Sequence, residues 1–161
     1  FIMIHISIIC IGKLKETYLK EATSEYTKRL SKYCKLSIVE LPDEKIPDKS
    51  SERILADIQE KESASILSHI PKDSYVMALD LTGRQYSSEE FATQLDNISM
   101  QNSSICFLIG GSLGMTRELV QKANSSICFS KMTFPHQLIR VFLLEQIFRA
   151  FKILHGETYH R

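Results

Sequence analysis

Three short segments of this chain combine residue types that could hold a ligand or move a proton. The first is Gly110-Gly111-Ser112-Leu113-Gly114, which follows an apolar run and precedes a helical one. Glycines there permit positive φ angles and let a ligand approach the backbone closely. The GGxxG spacing is neither the GxGxxG dinucleotide fingerprint nor a P-loop, which needs GK[ST]. It reads equally as a tight strand-to-helix turn. Leu79-Asp80-Leu81-Thr82-Gly83 has the same character, with Asp80 able to orient a ligand or to cap the turn at Thr82-Gly83. The third segment, Ser130-Lys131-Met132-Thr133-Phe134-Pro135-His136, is unlike an ordinary surface loop. Its backbone could pair with an adenine edge while Met132 and Phe134 flank the ring. Alternatively, its apolar residues are simple core and His136 is a locally bonded residue at a helix start.

Two further groups lie near the C-terminus. Glu145 and Arg149 stand four residues apart in the order that favours an intrahelical ion pair; they could instead line a site at an interface. The closing Gly156-Glu157-Thr158-Tyr159-His160-Arg161 places a phenol, an imidazole and a guanidinium in the last three positions. These types can serve as stacking platform, base and phosphate clamp, or form a frayed polar tail. His155 and His160 show no metal-ligand spacing, so no metal is expected.

Hydrophobic periodicity assigns the elements that must position these residues. Strands are expected at 4–11, 36–41, 75–81, 105–109 and 127–129. Helices are expected at 15–33, from 51 to Pro71, from Ser87/Ser88 through Ile98, at 115–123, and from Pro135 to about His155. Pro135 suits the first turn of a helix. Near-continuous apolar strands joined by helices predict a single α/β domain over residues 1–161, with a mostly parallel sheet covered on both faces. Ligands in such folds sit at the carboxyl ends of strands. The three segments follow the third, fourth and fifth strands. The last helix is apolar nearly all round, from Leu138 to Leu154. Such a helix must be buried on several sides, which predicts a homodimer through it.

Composition agrees with an ordinary globular domain: 161 residues, 43% hydrophobic and 24% charged. The opening FIMIHISIICIGKLKE has no basic residues ahead of its apolar run and no small-residue cleavage site. It reads as a strand. No apolar run reaches the ~18 residues of a membrane helix. Four cysteines without CxxC spacing, three of them in or beside apolar runs, point to a cytoplasmic protein. The formal net charge is +1, but the ends are basic and the middle acidic. From Lys13 to Lys35 there are seven Lys/Arg against three Glu, and from Glu40 to Glu62 eight acids against four bases. The pattern fits solvated helix faces, or a polyanion footprint assembled from the two ends.

Taken together, the IGGSLG turn, SKMTFPHQLIRVFLLEQIFRAFKI and the terminal GETYHR resemble the ribosomal RNA large subunit methyltransferase H family of the SPOUT superfamily. IGKLKETYLKEATSEYTKRL and VELPDEK fit as well, so the resemblance covers essentially the whole chain. Where some relatives carry Pro after the paired glycines, this chain has Ser112. The resemblance implies a trefoil-knotted α/β fold, a dimer, and S-adenosylmethionine as methyl donor. The implied target is N3 of a pseudouridine in a stem-loop (helix 69) of 23S rRNA, on assembled ribosomes. It also implies cofactor contacts at Leu79, Gly110, Phe129, Ser130, Lys131, Met132, Thr133 and Phe134, with Gly111 and His136 adjacent.

Methyl transfer from a sulfonium is an in-line displacement, and alignment can lower its barrier by ~7–11 kcal/mol. An imide nitrogen must lose its proton to become a good nucleophile, which calls for a base or a cation that stabilises the anion. His160 or His136 are candidates for the base. Arg140, Arg149 and Arg161 are candidates for anion stabiliser and phosphate clamp, and Tyr159 for stacking on the target base. Glu145 completes the set. The tail of one subunit is expected to complete the pocket of the other. Competing readings are a non-enzymatic ribosome- or RNA-associated protein of the same fold, and a nucleotide-binding enzyme using GGSLG for phosphate. The intact FPH loop and YHR tail argue against the first, and the missing Lys-Ser/Thr argues against the second.

Overall fold

The computed structural model describes residues 3–160. Its elements run β1 (Ile4–Ile11), α1 (Thr17–Leu30), β2 (Cys34–Leu41), α2 (Glu52–His69), β3 (Tyr75–Arg84), α3 (Ser88–Gln101), β4 (Ser104–Ile109), α4 (Arg117–Lys122), β5 (Ser125–Ile127) and α5 (His136–Leu154). The five strands form one sheet in the order β2-β1-β4-β3-β5, and every pairing is parallel. Alternate residues of β1 feed opposite cores, as strand geometry requires. Ile6, Ile8 and Cys10 join Phe91, Leu95, Leu143, Ile147 and Phe148 under α1, α3 and α5. Ile9 and Ile11 join Ile66, Met115 and Leu119 under α2 and α4.

Helix starts follow local chemistry. Ser87 accepts the Glu90 N–H while Glu90 reaches back to the Ser87 N–H, a complete capping box. Ser51 and Thr116 cap α2 and α4 in the simpler way. Pro135 occupies the N-cap rather than the first helical position, so α5 begins at His136.

Two sequence expectations are corrected around the site. Thr82-Gly83 is not a turn; β3 continues to Arg84. The glycine is there because a Cβ would stand 2.7 Å from the Ile127 backbone. The Arg84 carbonyl then accepts the Cys128 N–H at 2.9 Å. The fifth strand lies at Ser125–Ile127, earlier than the apolar run suggested. Its serines face the ladder end of β3, with Tyr75 Oη donating to Ser125 Oγ at 3.0 Å. Cys128 and Phe129 are thereby released into the loop.

The apolar girth of α5 is largely used inside the chain. The helix packs against both α1 and α3, burying Val141, Leu143, Leu144, Ile147, Phe148 and Ala150. Tyr33 stacks on Phe151 at 5.4 Å, and Tyr26 meets Phe148 edge-on. Phe142 and Leu154 remain exposed at 38% and 39%. No helix among the described residues is long and apolar enough to cross a membrane. All four cysteines are free and buried. Burial pushes the Cys10 thiol up to about 11, Arg140 opposing, and the Cys34 and Cys106 thiols to about 12. These thiols behave as small apolar groups.

Candidate active site

The carboxyl ends of β3, β4 and β5 enclose a cleft of about 770 Å³, within the range of small-molecule sites. Its walls are the three segments singled out above: Leu79 to Thr82, Gly110 to Gly114, and Phe129, Ser130 and Met132 to His136. Leu79, Gly110, Gly111, Phe129, Ser130, Met132, Thr133 and Phe134 all line it. Lys131 does not; it is exposed and outside the cleft wall.

The glycines of GGSLG have different reasons to be there. Only Gly114 has a positive φ, +74°; its N–H bonds the Gly111 carbonyl at 3.0 Å. Gly110 is required by close approach, since a Cβ would stand 2.8 Å from the Gly114 carbonyl carbon. Sequence reasoning missed the residue that holds this loop. Gln59, from α2, donates through Nε2 to the Leu113 carbonyl at 2.9 Å and to Met115 at 3.3 Å. Ser63 accepts the Thr116 N–H at 2.9 Å. Nothing in the local sequence of α2 marks either residue, because their partners lie more than fifty positions away.

Asp80, inside β3, acts chiefly as a local hydrogen-bond and ion-pair residue. Its carboxylate accepts from the Thr82 N–H at 3.0 Å and from the Thr82 hydroxyl. It pairs with Arg117 at 2.5 Å. The Arg117 hydrogen bonds lead in holding its carboxyl down at about 2, burial opposing. Arg117, at the start of α4, was also missed in the sequence.

The loop from Phe129 to Phe134 is irregular and only partly bonded to itself. Its internal polar contacts are the Cys128 thiol to the Ser130 carbonyl and the Met132 N–H to Ser130 Oγ, both at 3.0 Å. Among the described residues, the N–H groups of Phe129, Lys131, Thr133 and Phe134 find no acceptor. Met132 is 73% exposed and Phe134 37%, and Phe134 meets Phe142 edge-on at 5.7 Å. The mouth of the cleft is therefore apolar and open, with backbone donors and acceptors behind it.

His136 sits at the base of this wall, half-buried. Burial, then the Arg140 charge, lower its pKa against the opposing pull of Asp43. Its imidazole is neutral near pH 7 and able to accept a proton.

Arg140 does not reach the cleft. Its side chain is sealed inside the fold, with Nη1 donating to Glu40 at 2.7 Å and Nη2 to the Gly12 carbonyl at 3.0 Å. Burial pushes the Glu40 carboxyl up, but the Arg140 and Leu14 hydrogen bonds outweigh it and hold it low. The expected role of Arg140 as anion stabiliser is replaced by a structural one, tying α5 to the ends of β1 and β2.

The tail forms a second cluster. Arg149 pairs with Glu145 at 2.7 Å, and Tyr159 donates its hydroxyl to the other Glu145 oxygen at 2.8 Å. Burial, then Glu145, raises the Tyr159 pKa. His160 Nδ1 lies 3.1 Å from Arg149 Nη1, and Nε2 lies 2.6 Å from Glu89 Oε1. Arginine only donates, so Nδ1 accepts and the ring proton is on Nε2, facing Glu89. Arg161 lies outside the described residues. Gly156 turns the chain back onto α5. At φ +65° it allows Gly156 and Glu157 to bond the Ile153 and Lys152 carbonyls, a Schellman cap. Glu157 is then fixed by Lys152 at 2.8 Å and by Tyr33 at 2.7 Å. Gly156→Ala is expected to lower stability by about 1–2 kcal/mol through the left-handed backbone, measured as a shift in the denaturation midpoint.

The pocket residues and the tail cluster stay apart within one chain. From His136 to Arg149, α5 rises about 20 Å. Among the described residues, no group of three His, Cys, Asp or Glu side chains is arranged to hold a metal.

Comparison with known proteins agrees with this architecture. A family model described as predicted SPOUT methyltransferase matches residues 4–160. Ribosomal RNA large subunit methyltransferase H 1 of Clostridium perfringens (strain SM101 / Type A) is 54% identical over 158 residues, covering 98% of this chain and 99% of that protein. The methyltransferase H of Clostridium botulinum (strain Alaska E43 / Type E3) is 56% identical with the same coverage. Among solved structures, a probable methylase family protein from Haemophilus influenzae Rd KW20 shares the fold. Its TM-score is 0.54 at 14% identity, covering 97% of this chain and 70% of that one. The chain therefore belongs to the ribosomal RNA large subunit methyltransferase H family of SPOUT methyltransferases.

Proposed function

We propose that this protein is an S-adenosylmethionine-dependent methyltransferase acting at N3 of a pseudouridine in helix 69 of 23S rRNA, in the cytoplasm and on assembled ribosomes. The observation that carries the reading is the cleft itself. Three strand ends meet there around an irregular loop with backbone N–H groups unspent among the described residues. Its chemistry suits the cofactor. Met132 and Phe134 can flank an adenine ring while the loop backbone pairs with its edge, and Gly110 leaves no side chain in the way. When bound, the cofactor supplies an electrophilic methyl group.

The chain supplies alignment and proton management. His136, neutral at the foot of the wall, can accept a proton. His160 is the second candidate, but its Nδ1 lone pair is occupied by Arg149 while the tail is docked. Arg149 keeps further donors for a developing anion, and Tyr159 offers a stacking face.

The same layout supports a homodimer as part of this reading. Leu81, Met132, Phe134 and Phe142 are exposed around the cleft and the adjoining face of α5, a patch suited to a second subunit. Because the tail lies about 20 Å along α5 from its own cleft, it reaches a cleft most directly in the partner subunit. The dimer and the trefoil knot of the C-terminal segment are parts of this proposal, motivated by family membership. With a formal charge of +1, the protein has little general attraction for naked RNA, so assembled ribosomes are the expected substrate.

The test is calorimetric titration with S-adenosylmethionine, with Gly110→Trp as control, followed by methyl transfer to intact ribosomes with the modified nucleoside mapped by mass spectrometry. Saturable binding that the control loses, and a methyl group at N3 of pseudouridine, are expected. A folded dimer that binds no cofactor with or without ribosomes would overturn the reading in favour of a non-enzymatic ribosome-associated protein.

A further inference from the structure

Behind the GGSLG turn, Gly111, Ser112 and His136 line not only the cleft but a second hollow of about 270 Å³. Its other walls carry Asp43, Glu44, Lys45, Ile46 and Glu62, three carboxylates against one ammonium. Glu62, from α2, is only 5% exposed. Its Oε2 accepts the Glu44 N–H at 3.1 Å. Its Oε1 accepts no hydrogen bond among the described residues, and lies 3.1 Å from where a Gly111 Cβ would stand. Nor does Glu62 form an ion pair among the described residues. Burial, then the charges of Asp43 and Glu44, push its carboxyl up against the Glu44 N–H. A buried carboxylate without a counter-ion is costly to keep. Here the neighbouring imidazole is neutral and cannot compensate it. The acids outnumber the one ammonium, so the turn that superficially suggests a phosphate cradle faces a hollow of net negative lining.

We propose that Glu62, supported by Asp43, is a cation-recognising subsite that takes the ammonium group of an amino-acid-bearing nucleoside whose remainder fills the cleft. This rests on the cofactor reading above and extends it to residues outside the three strand-end segments. The hollow and the cleft share Gly111, so a ligand passing that glycine meets Glu62 Oε1 directly. A side chain at Gly111 would close the passage.

The test compares two ligands by calorimetry. S-adenosylhomocysteine carries the amino acid; 5′-methylthioadenosine lacks it. Glu62→Gln should weaken S-adenosylhomocysteine by about tenfold or more, the scale of a hydrogen bond to a charged group, and leave 5′-methylthioadenosine unchanged. Asp43→Asn, at a surface loop, should act in the same sense more weakly, and it decides the matter if Glu62→Gln fails to fold. Equal weakening of both ligands would show that Glu62 merely holds the loop, and no change in either would remove the subsite; both overturn the proposal. Wild-type protein that binds neither ligand would overturn the cofactor reading and this subsite with it.

Discussion

Removing Tyr159 to Arg161 is expected to leave cofactor affinity within about twofold and to lower methyl transfer by roughly a thousandfold or more, as loss of a positioned base and stacking platform implies. The structure separates the two effects. Among the described residues, no tail residue lines the cleft, and the tail contacts Glu145, Arg149, Glu89 and the Phe148 ring. Truncation deletes those bonds but spares the Gly156 cap and the Glu157 anchor, so α5 should keep its end. Full activity in the truncated protein would sink the idea. Mixed subunits of the proposed dimer sharpen the test. A truncated subunit retains an intact cleft, and a Gly110→Trp subunit retains an intact tail. Each such heterodimer holds one complete site if tails act across the dimer, and activity should return on mixing two inactive preparations. If tails act within their own chain, mixing restores nothing.

Arg140→Ala is expected to cost about 3 kcal/mol of stability, the lower end for breaking a buried ion pair, because Glu40 keeps 34% of its side chain exposed and can rehydrate. The Gly12 carbonyl also loses its donor. Denaturant titration reads the loss directly. Arg140→Met combined with Glu40→Gln should recover most of it, since one Arg140 nitrogen, Nε, has no partner among the described residues. Methyl transfer per folded molecule should fall by less than about tenfold, the mark of a residue that braces the site rather than touching substrate. A large kinetic loss with unchanged stability would return Arg140 to the reacting groups.

The tail and Arg140 show how far the sequence was legible. The alternation of strands and helices, the parallel sheet and the strand-end location of the cleft were all readable, because hydrophobic period and glycine punctuation are local signals. Ser87/Ser88 marked the start of α3 from adjacent letters, and the capping box with Glu90 emerged only in the structure. The errors lie where distant backbone decides. Gly83 looked like a turn glycine, yet it is needed because β5 passes 2.7 Å from its missing Cβ. Ser125 and Ser126 concealed a strand that only β3 reveals. Arg140 appeared available beside His136, but a helix turn rotates it inward onto Glu40, a hundred residues earlier. Gln59, Glu62 and Arg117 had no local mark at all. The apolar girth of α5 predicts a partner chain; α1 and α3 account for most of its buried side chains, while Phe142 and Leu154 stay exposed.

The sheet order also dictates when this molecule can exist. β4 is inserted between β1 and β3, so Ile8 waits for Phe107, and Met77 waits for the same residue. A nascent chain ending before Ser104 has β1 and β3 synthesised, yet nothing joins them. Ile6, Ile8 and Met77, fully enclosed in the finished fold, then sit on unsatisfied strand edges. Such edges template association with other chains. Long-range parallel pairing also closes slowly, on the scale of milliseconds to seconds. Protection of the half-made chain, by chaperones or by the exit surface of the ribosome that is synthesising it, is therefore set by the place of one six-residue strand in the sequence.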